Sequence, residues 1–320
     1  MNYHRVNPNL EIDPFEMAVT PDNFVAQLEA VRKIGRPMRL CQFASLLKEG
    51  NFPDRAIVVT FDDGYVDNFL YAKPLLESYS VPATIFVTSG HVDSNDQFWW
   101  DELSQLLLRA KKFPTTFYLS RNTTTGQLHL QDRMDKRNSR CQRIWRVIRQ
   151  NEHKTRLRIL KDIRQLFFVI SYEERQRILK ELADFVEEQV VRPARSHLSS
   201  SELLSLVQGG LIDIGAHTIS HPALSILPKD QQRREIQGSK KVLETILHAP
   251  VNSFSYPFGQ PVDYTQETIS LVKESGFECA CSTFSNYIQS NGDCYELPRW
   301  TVRNWRVDEF AHRLRKIFGL

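Results

Sequence analysis

Short apolar runs alternate with longer stretches of helical spacing through both ends of this chain, and no other feature limits the fold as tightly. The run Ala56-Ile57-Val58-Val59-Thr60-Phe61 is too short for a helix and long enough for a buried strand. Similar runs are ATIFVT at 83–88, LIDIGAHT at 211–218, VNSFSY at 251–256 and ECACST at 278–283. Helical patterns separate them. Residues 21–34 place Phe24, Leu28, Val31 and Ile34 on one face, behind a Pro21-Asp22 start and ahead of a stop at Gly35. Residues 67–80 read as a helix that Pro74 kinks or delays, 228–247 as one long helix, and 264–275 as a helix ended by Gly276. Strands alternating with helices of 10–15 residues imply parallel βαβ units, so the sheet is expected to be parallel and covered on both faces.

Residues 111–199 break this rhythm. From Arg133 to Arg195 the pattern is mostly helical, in RIWRVIRQ, RLRILKDIRQLFFVI and YEERQRILKELADFVEEQV. The expectation is one domain over 1–320 with a helical insertion at about 111–199, packed on an edge of the barrel. The insertion is basic to about residue 164 and acidic over 173–188, which reads as a solvated face in preference to a surface for an anionic polymer.

Composition excludes some classes. A formal charge of +3 over 320 residues gives no reason to expect a nucleic-acid partner. No window approaches the ~18 apolar residues of a membrane span, and MNYHRVNPN lacks a signal pattern, so the chain as written is expected in the cytoplasm. A secreted or envelope location is the alternative if an upstream segment exists. Cysteines at 41, 141, 279, 281 and 294 match no disulfide framework or zinc-ribbon spacing and read as reduced, mostly buried thiols.

The chemistry concentrates at strand ends. Ligands of parallel α/β folds sit at the carboxyl ends of strands, and TFDDGY places Asp62 and Asp63 at such an end. Ionised carboxylates there need a cation, water or hydrogen bonds. Gly64 allows an immediate turn, so both could face one cavity; DDG by itself is equally a solvated turn. LIDIGAHTISHP sets His217 and His221 four apart at another strand end. Two such imidazoles with a carboxylate are ordinary ligation for zinc or a neighbouring divalent ion, with positions left for water and substrate. Ser255-Tyr256-Pro257-Phe258-Gly259 is a tight loop that could aim a backbone N–H at an oxyanion. In LPRW, Arg299 could orient a carboxylate through a forked ion pair. Tyr3-His4-Arg5 is the tail of a first strand, and His4 alone would be unremarkable.

TFDDGY, HTISHP and YPFG, in this order, resemble the polysaccharide deacetylases of the family-four carbohydrate esterases, the NodB homology domain. PDNFVAQLEAV, VPATIFVTSG, FWWDEL, REIQGSKKVLE, SGFECACST and LPRWTV extend the likeness over roughly 2–110 and 200–305. The resemblance implies an α/β fold, a distorted (β/α) barrel of about seven parallel strands, and one divalent ion, usually zinc, with cobalt or nickel as alternatives. By the same resemblance Asp63, His217 and His221 bind the metal, Asp62 is the general base towards the metal-held water, and a backbone N–H near Tyr256, with Pro257 and Phe258, faces the oxyanion and substrate. Two departures stand out: Ser255 occupies a position where many members carry Arg, and no Leu-x-His motif occurs near the C-terminus. Both are similar to the branch that deacetylates poly-N-acetylglucosamine, in which an N-terminal Tyr-His supplies the acid. That branch implies His4 as proton donor and Arg299 as substitute for the missing Arg, with His312 and His91 as competing acids. It also usually has apolar residues ahead of Tyr-His, where only Met1 and Asn2 stand here.

The function implied is hydrolysis of N-acetyl groups on an N-acetylhexosamine of a glycan or glycoconjugate. The alternatives are an O-acetyl esterase, as on acetylxylan, and a non-catalytic glycan-binding protein on the same fold.

Overall fold

The computed structural model describes residues 1–320 except 10, 52, 111–115, 123–127, 132–138, 147–151, 187–194, 285–287 and 289–291. The chain divides into two compact units, Met1–Asn95 with Arg195–Leu320, and Asp96–Ala194.

In the first unit six strands form one sheet: β1 (Asn2–Tyr3), β2 (Val59–Phe61), β3 (Ala83–Val87), β4 (Ile212–Ala216), β5 (Ser253–Ser255) and β6 (Cys279–Cys281). They lie side by side in chain order, every pair parallel, as in a barrel wound in one direction. The sheet is a curled half-barrel with helices outside it. Expectation put the strand number at about seven, and among the described residues this sheet has six. The seventh place is taken by residues 297–302, which touch both sheet edges through single bridges, Leu297 to Cys281 and Thr301 to Asn2. Pro298 has no N–H to give to a ladder, so this segment closes the gap without becoming a regular strand.

The helices follow the spacing read from sequence. Pro21–Ile34 starts with Pro21 at its first position, its Thr20 side chain accepts from the Asn23 N–H, and it buries Phe24, Leu28, Val31 and Ile34. Pro74 delays the α-helix to Lys73–Tyr79, after one π turn at Asn68–Ala72. The sheet interior and the inner helix faces share one core that includes Tyr3, Phe61, Ile85, Phe254 and Tyr256. Cys279, Cys281 and Cys294 are buried thiols and Cys41 is exposed.

Register matters most for function. Tyr3 pairs with Phe61, Phe61 with Ile85, Ala216 with Val87 and Ser255 with Cys281. The strands therefore end at nearly one level, and the residues that follow them (His4, Asp62, Asp63, His217 and Tyr256) emerge at the same carboxyl edge.

The second unit combines helices Trp99–Arg109, Glu152–Phe167 and Tyr172–Phe185 with a three-stranded antiparallel sheet, Thr116–Asn122, Leu128–Gln131 and Ser139–Arg146. A mostly helical insertion was expected, and two of its three helical readings stand. The third, RIWRVIRQ, is corrected: Ser139–Arg146 is a strand paired with Thr116–Asn122, and 147–150 lie outside the described residues. A short run that mixes Ile, Val and Trp with Arg fits either period, and cross-strand pairing chose the strand.

Candidate active site

Asp62 and Asp63 follow β2, where the chain turns sharply. Asp63 and Gly64 both adopt left-handed backbone, with φ of 77° and 81°. A Cβ on Gly64 would lie 3.1 Å from Val87 Cγ1, so the turn fits tightly against β3 and suits glycine. The turn breaks strand alternation and lets neighbouring carboxylates serve different partners.

Asp63 faces the histidines. Its Oδ1 lies 3.5 Å from His217 Nε2 and 3.3 Å from His221 Nε2, and all three side chains are buried. The His217 Nδ1 sits 2.7 Å from the Ser255 carbonyl oxygen. A carbonyl only accepts, so Nδ1 carries the proton and Nε2 presents its lone pair to the site. Burial alone would raise the Asp63 carboxyl, yet the adjacent His217 and His221 rings hold it well below the usual carboxylate range. His221 is pushed down, first by burial.

These three residues fit a divalent ion. Their ligand atoms lie within 4.8 Å of one another, and among the described residues they are the one cluster of three or more such groups. Ligand bonds of ~2.0–2.1 Å in a tetrahedron place donors about 3.3 Å apart, close to the separations around Asp63 Oδ1. Two imidazole nitrogens and one carboxylate oxygen form a donor set of the zinc class with room for further ligands.

Asp62 pairs instead with Arg299. Arg299 Nη1 donates to Oδ1 at 2.8 Å and Nη2 to Oδ2 at 2.7 Å, and Asn2 Nδ2 adds a third bond to Oδ2 at 3.0 Å. Arg299 is itself held by the Ser282 carbonyl, the Thr60 hydroxyl and the Ser255 hydroxyl at 2.7, 2.9 and 2.8 Å. Burial would raise the Asp62 carboxyl, but the Arg299 charge outweighs it and keeps the group below its ordinary value. A carboxylate offers about four acceptor directions. Three are used by these bonds, leaving capacity on Oδ1. Ser255 is thus a junction: its small side chain leaves space for the incoming guanidinium, while its carbonyl orients a metal-ligand candidate.

His4 follows β1, is half-buried, and interacts electrostatically with both Asp62 and Asp63. Its carbonyl accepts from Asn68 Nδ2 at 2.9 Å. His312 is exposed on the helix Val307–Ile317, and the His91 ring packs against His197 at 4.6 Å between centroids. Tyr256 is buried; its N–H donates to the Cys281 carbonyl at 3.1 Å and its hydroxyl to the Tyr295 carbonyl at 2.9 Å. The Tyr256 N–H is therefore engaged in the sheet, which removes it as an oxyanion donor in this conformation. Pro257 has no N–H, and its carbonyl accepts from Gly259 at 2.7 Å. Phe258, with φ of 61°, sets its ring edge-on to His221 at 4.6 Å and so forms one wall of the site. Sequence reasoning missed Asn2, Thr60 and Ser282, whose types are too common to signal a role before the fold brings them to Arg299.

Comparison with known proteins agrees with this geometry. The polysaccharide deacetylase family model matches residues 49–110 and 155–280, more than half of the chain, and reaches into a region the motifs leave unexplained. The chain is 29% identical over 143 residues to a poly-beta-1,6-N-acetyl-D-glucosamine N-deacetylase of Staphylococcus aureus (strain N315), covering 40% of this chain and 48% of that protein. It therefore spans less than half the length of that curated relative. Among solved structures, Streptococcus pyogenes deacetylase PplD in complex with acetate superposes with a TM-score of 0.59 at 15% identity, covering 98% of this chain and 96% of the other. IcaB from Ammonifex degensii superposes with a TM-score of 0.58 at 17% identity, covering 99% and 95%. At such identities the two structures support the fold alone.

Proposed function

The chain belongs to the polysaccharide deacetylase family, and on that premise we propose that it is a metal-dependent hydrolase of N-acetyl groups on an N-acetylhexosamine-containing glycan or glycoconjugate. One observation carries the reading: the Asp63, His217 and His221 donor triangle stands beside a separate, ionised Asp62. The activity named for the Staphylococcus aureus relative supports an acetylated glucosamine polymer as the substrate class.

Asp63, His217 and His221 would hold a divalent ion, zinc by its donor set, which when bound would supply Lewis-acid polarisation of the acetyl carbonyl and acidify water. Asp62 takes the proton of the attacking water on the acceptor capacity that Oδ1 retains, and Arg299 and Asn2 keep it ionised and oriented for this. An amide collapses to products only if its nitrogen is protonated, and His4, beside both carboxylates, donates that proton to the departing amine. Phe258 screens His221 from solvent and contributes a wall for the acetyl group.

The test is acetate release by the purified chain with added zinc, across β-1,6-linked N-acetylglucosamine oligomers, chitooligomers and acetylxylan. Release from the N-acetylated oligomers, lost in Asp62→Asn, is the expected result. Release from acetylxylan alone would make the protein an O-acetyl esterase, and no release from any would favour a glycan-binding role.

A further inference from the structure

The two histidines are held by different means. His217 directly follows β4, and its N–H donates to the Val87 carbonyl at 3.0 Å, so the sheet places it. His221 lies in a loop whose backbone is strained at both ends: Thr218 and His221 have φ of 65° and 56°. Left-handed backbone is unfavourable at such residues, so other contacts must hold the loop.

Those contacts converge on Glu235. The Ile219 and Ser220 N–H groups donate to its Oε2 at 2.8 and 2.9 Å, and the Ser220 hydroxyl donates to Oε1 at 2.7 Å. Consecutive N–H groups of a tight loop form a concavity suited to an anion, here filled by a side chain of the chain itself. The His221 N–H closes the loop internally on Thr218 Oγ1 at 3.0 Å. On the opposite side Ser89 and Gly90 donate to the Thr218 and Ile219 carbonyls at 3.0 and 2.9 Å. Glu235 belongs to the helix Lys229–Leu247. It can reach the loop because Gly238, three residues on and on the same helix face, brings that helix close: a Cβ there would fall 2.5 Å from Ile219 Cδ1.

We infer that Glu235 is a positioning residue for the metal centre, fixing the loop Thr218–Ser220 so that His221 meets Asp63 and His217 at ligand distance. The inference rests on the metal-dependent reading above. Glu235 acts through His221; such outer partners of metal ligands are worth about 10–100-fold in metal affinity.

The experiment is equilibrium zinc titration of the full chain against a chromophoric chelator, for the parent, Glu235→Ala and Glu235→Gln, with thermal unfolding of each metal-free protein alongside. We expect Glu235→Ala to weaken zinc binding by about 10–100-fold and Glu235→Gln, which keeps one oxygen acceptor, to weaken it less. Should the alanine variant fail to fold, the glutamine variant decides: weaker zinc binding supports the inference. Parent-like zinc affinity in a folded variant, even one of lowered melting temperature, overturns it and leaves the deacetylase reading intact. A parent that binds no zinc overturns both.

Discussion

Arg299 grips both oxygens of Asp62, at 2.8 and 2.7 Å, although 236 residues of chain lie between them. Both side chains are almost wholly buried, so each supplies the counter-charge without which the other could not remain ionised there. Removing one partner of such a pair costs about 3–5 kcal/mol, because the other is left as an uncompensated buried charge. Arg299→Ala should therefore lower the unfolding free energy by about this amount, measured by urea titration of the metal-free protein. Arg299→Lys should recover only part, since a point charge cannot reproduce the fork. An alanine variant as stable as the parent would contradict this account.

The adjacent aspartates should separate in a metal titration. Asp63→Asn removes the one carboxylate of the donor triangle and should weaken zinc binding by at least tenfold. Asp62→Asn should retain zinc within about threefold while losing turnover by the 10²–10⁴-fold associated with a general base. Because Asp62→Asn also leaves Arg299 unpaired, its folding must be checked by circular dichroism before the rates are compared. Loss of zinc in both variants alike would remove the division of labour.

His4→Ala should distinguish the two bonds the site could cut. An amine is a poor leaving group unless protonated, whereas an alkoxide needs less help. Measured on an N-acetylated oligosaccharide and on an activated acetyl ester, kcat should fall by 10²–10⁴-fold on the amide and by much less on the ester. Equal losses on both would transfer the acid role elsewhere.

The ion pair also sets a pH dependence of stability. The Asp62 carboxyl lies below its ordinary value in the folded chain, and about 3.9 in the unfolded one. A depressed folded pKa contributes stability that is complete above the unfolded value and is lost as pH falls through the folded value. The contribution should be constant from neutrality down to about pH 4 and decline below it. Denaturant midpoints of the metal-free protein across this range should show that decline, and Asp62→Asn should make it shallower. Parallel profiles for the two proteins would refute the assignment.

Much of this protein could be read in one dimension. Alternating apolar runs and helical spacing identified the parallel sheet, since burial on both faces demands continuous apolar strands and crossover helices. The order TFDDGY, HTISHP, YPFG pointed to the family, and it was that resemblance, beyond the presence of carboxylates and imidazoles at strand ends, that singled out Asp63 with His217 and His221. RIWRVIRQ misled because eight residues of mixed apolar and basic character satisfy two periods, and only the pairing of Ser139–Arg146 with Thr116–Asn122 chose between them. Tertiary structure alone decided what surrounds the ligands. Closure of the barrel by residues 297–302 brings Arg299 onto Asp62 and the Ser255 hydroxyl, and Gly238 brings Glu235 to the His221 loop. Hydrogen-bond partners depend on distance in space, and residues as common as Asn2, Thr60 and Glu235 carry no mark of it until the chain has folded.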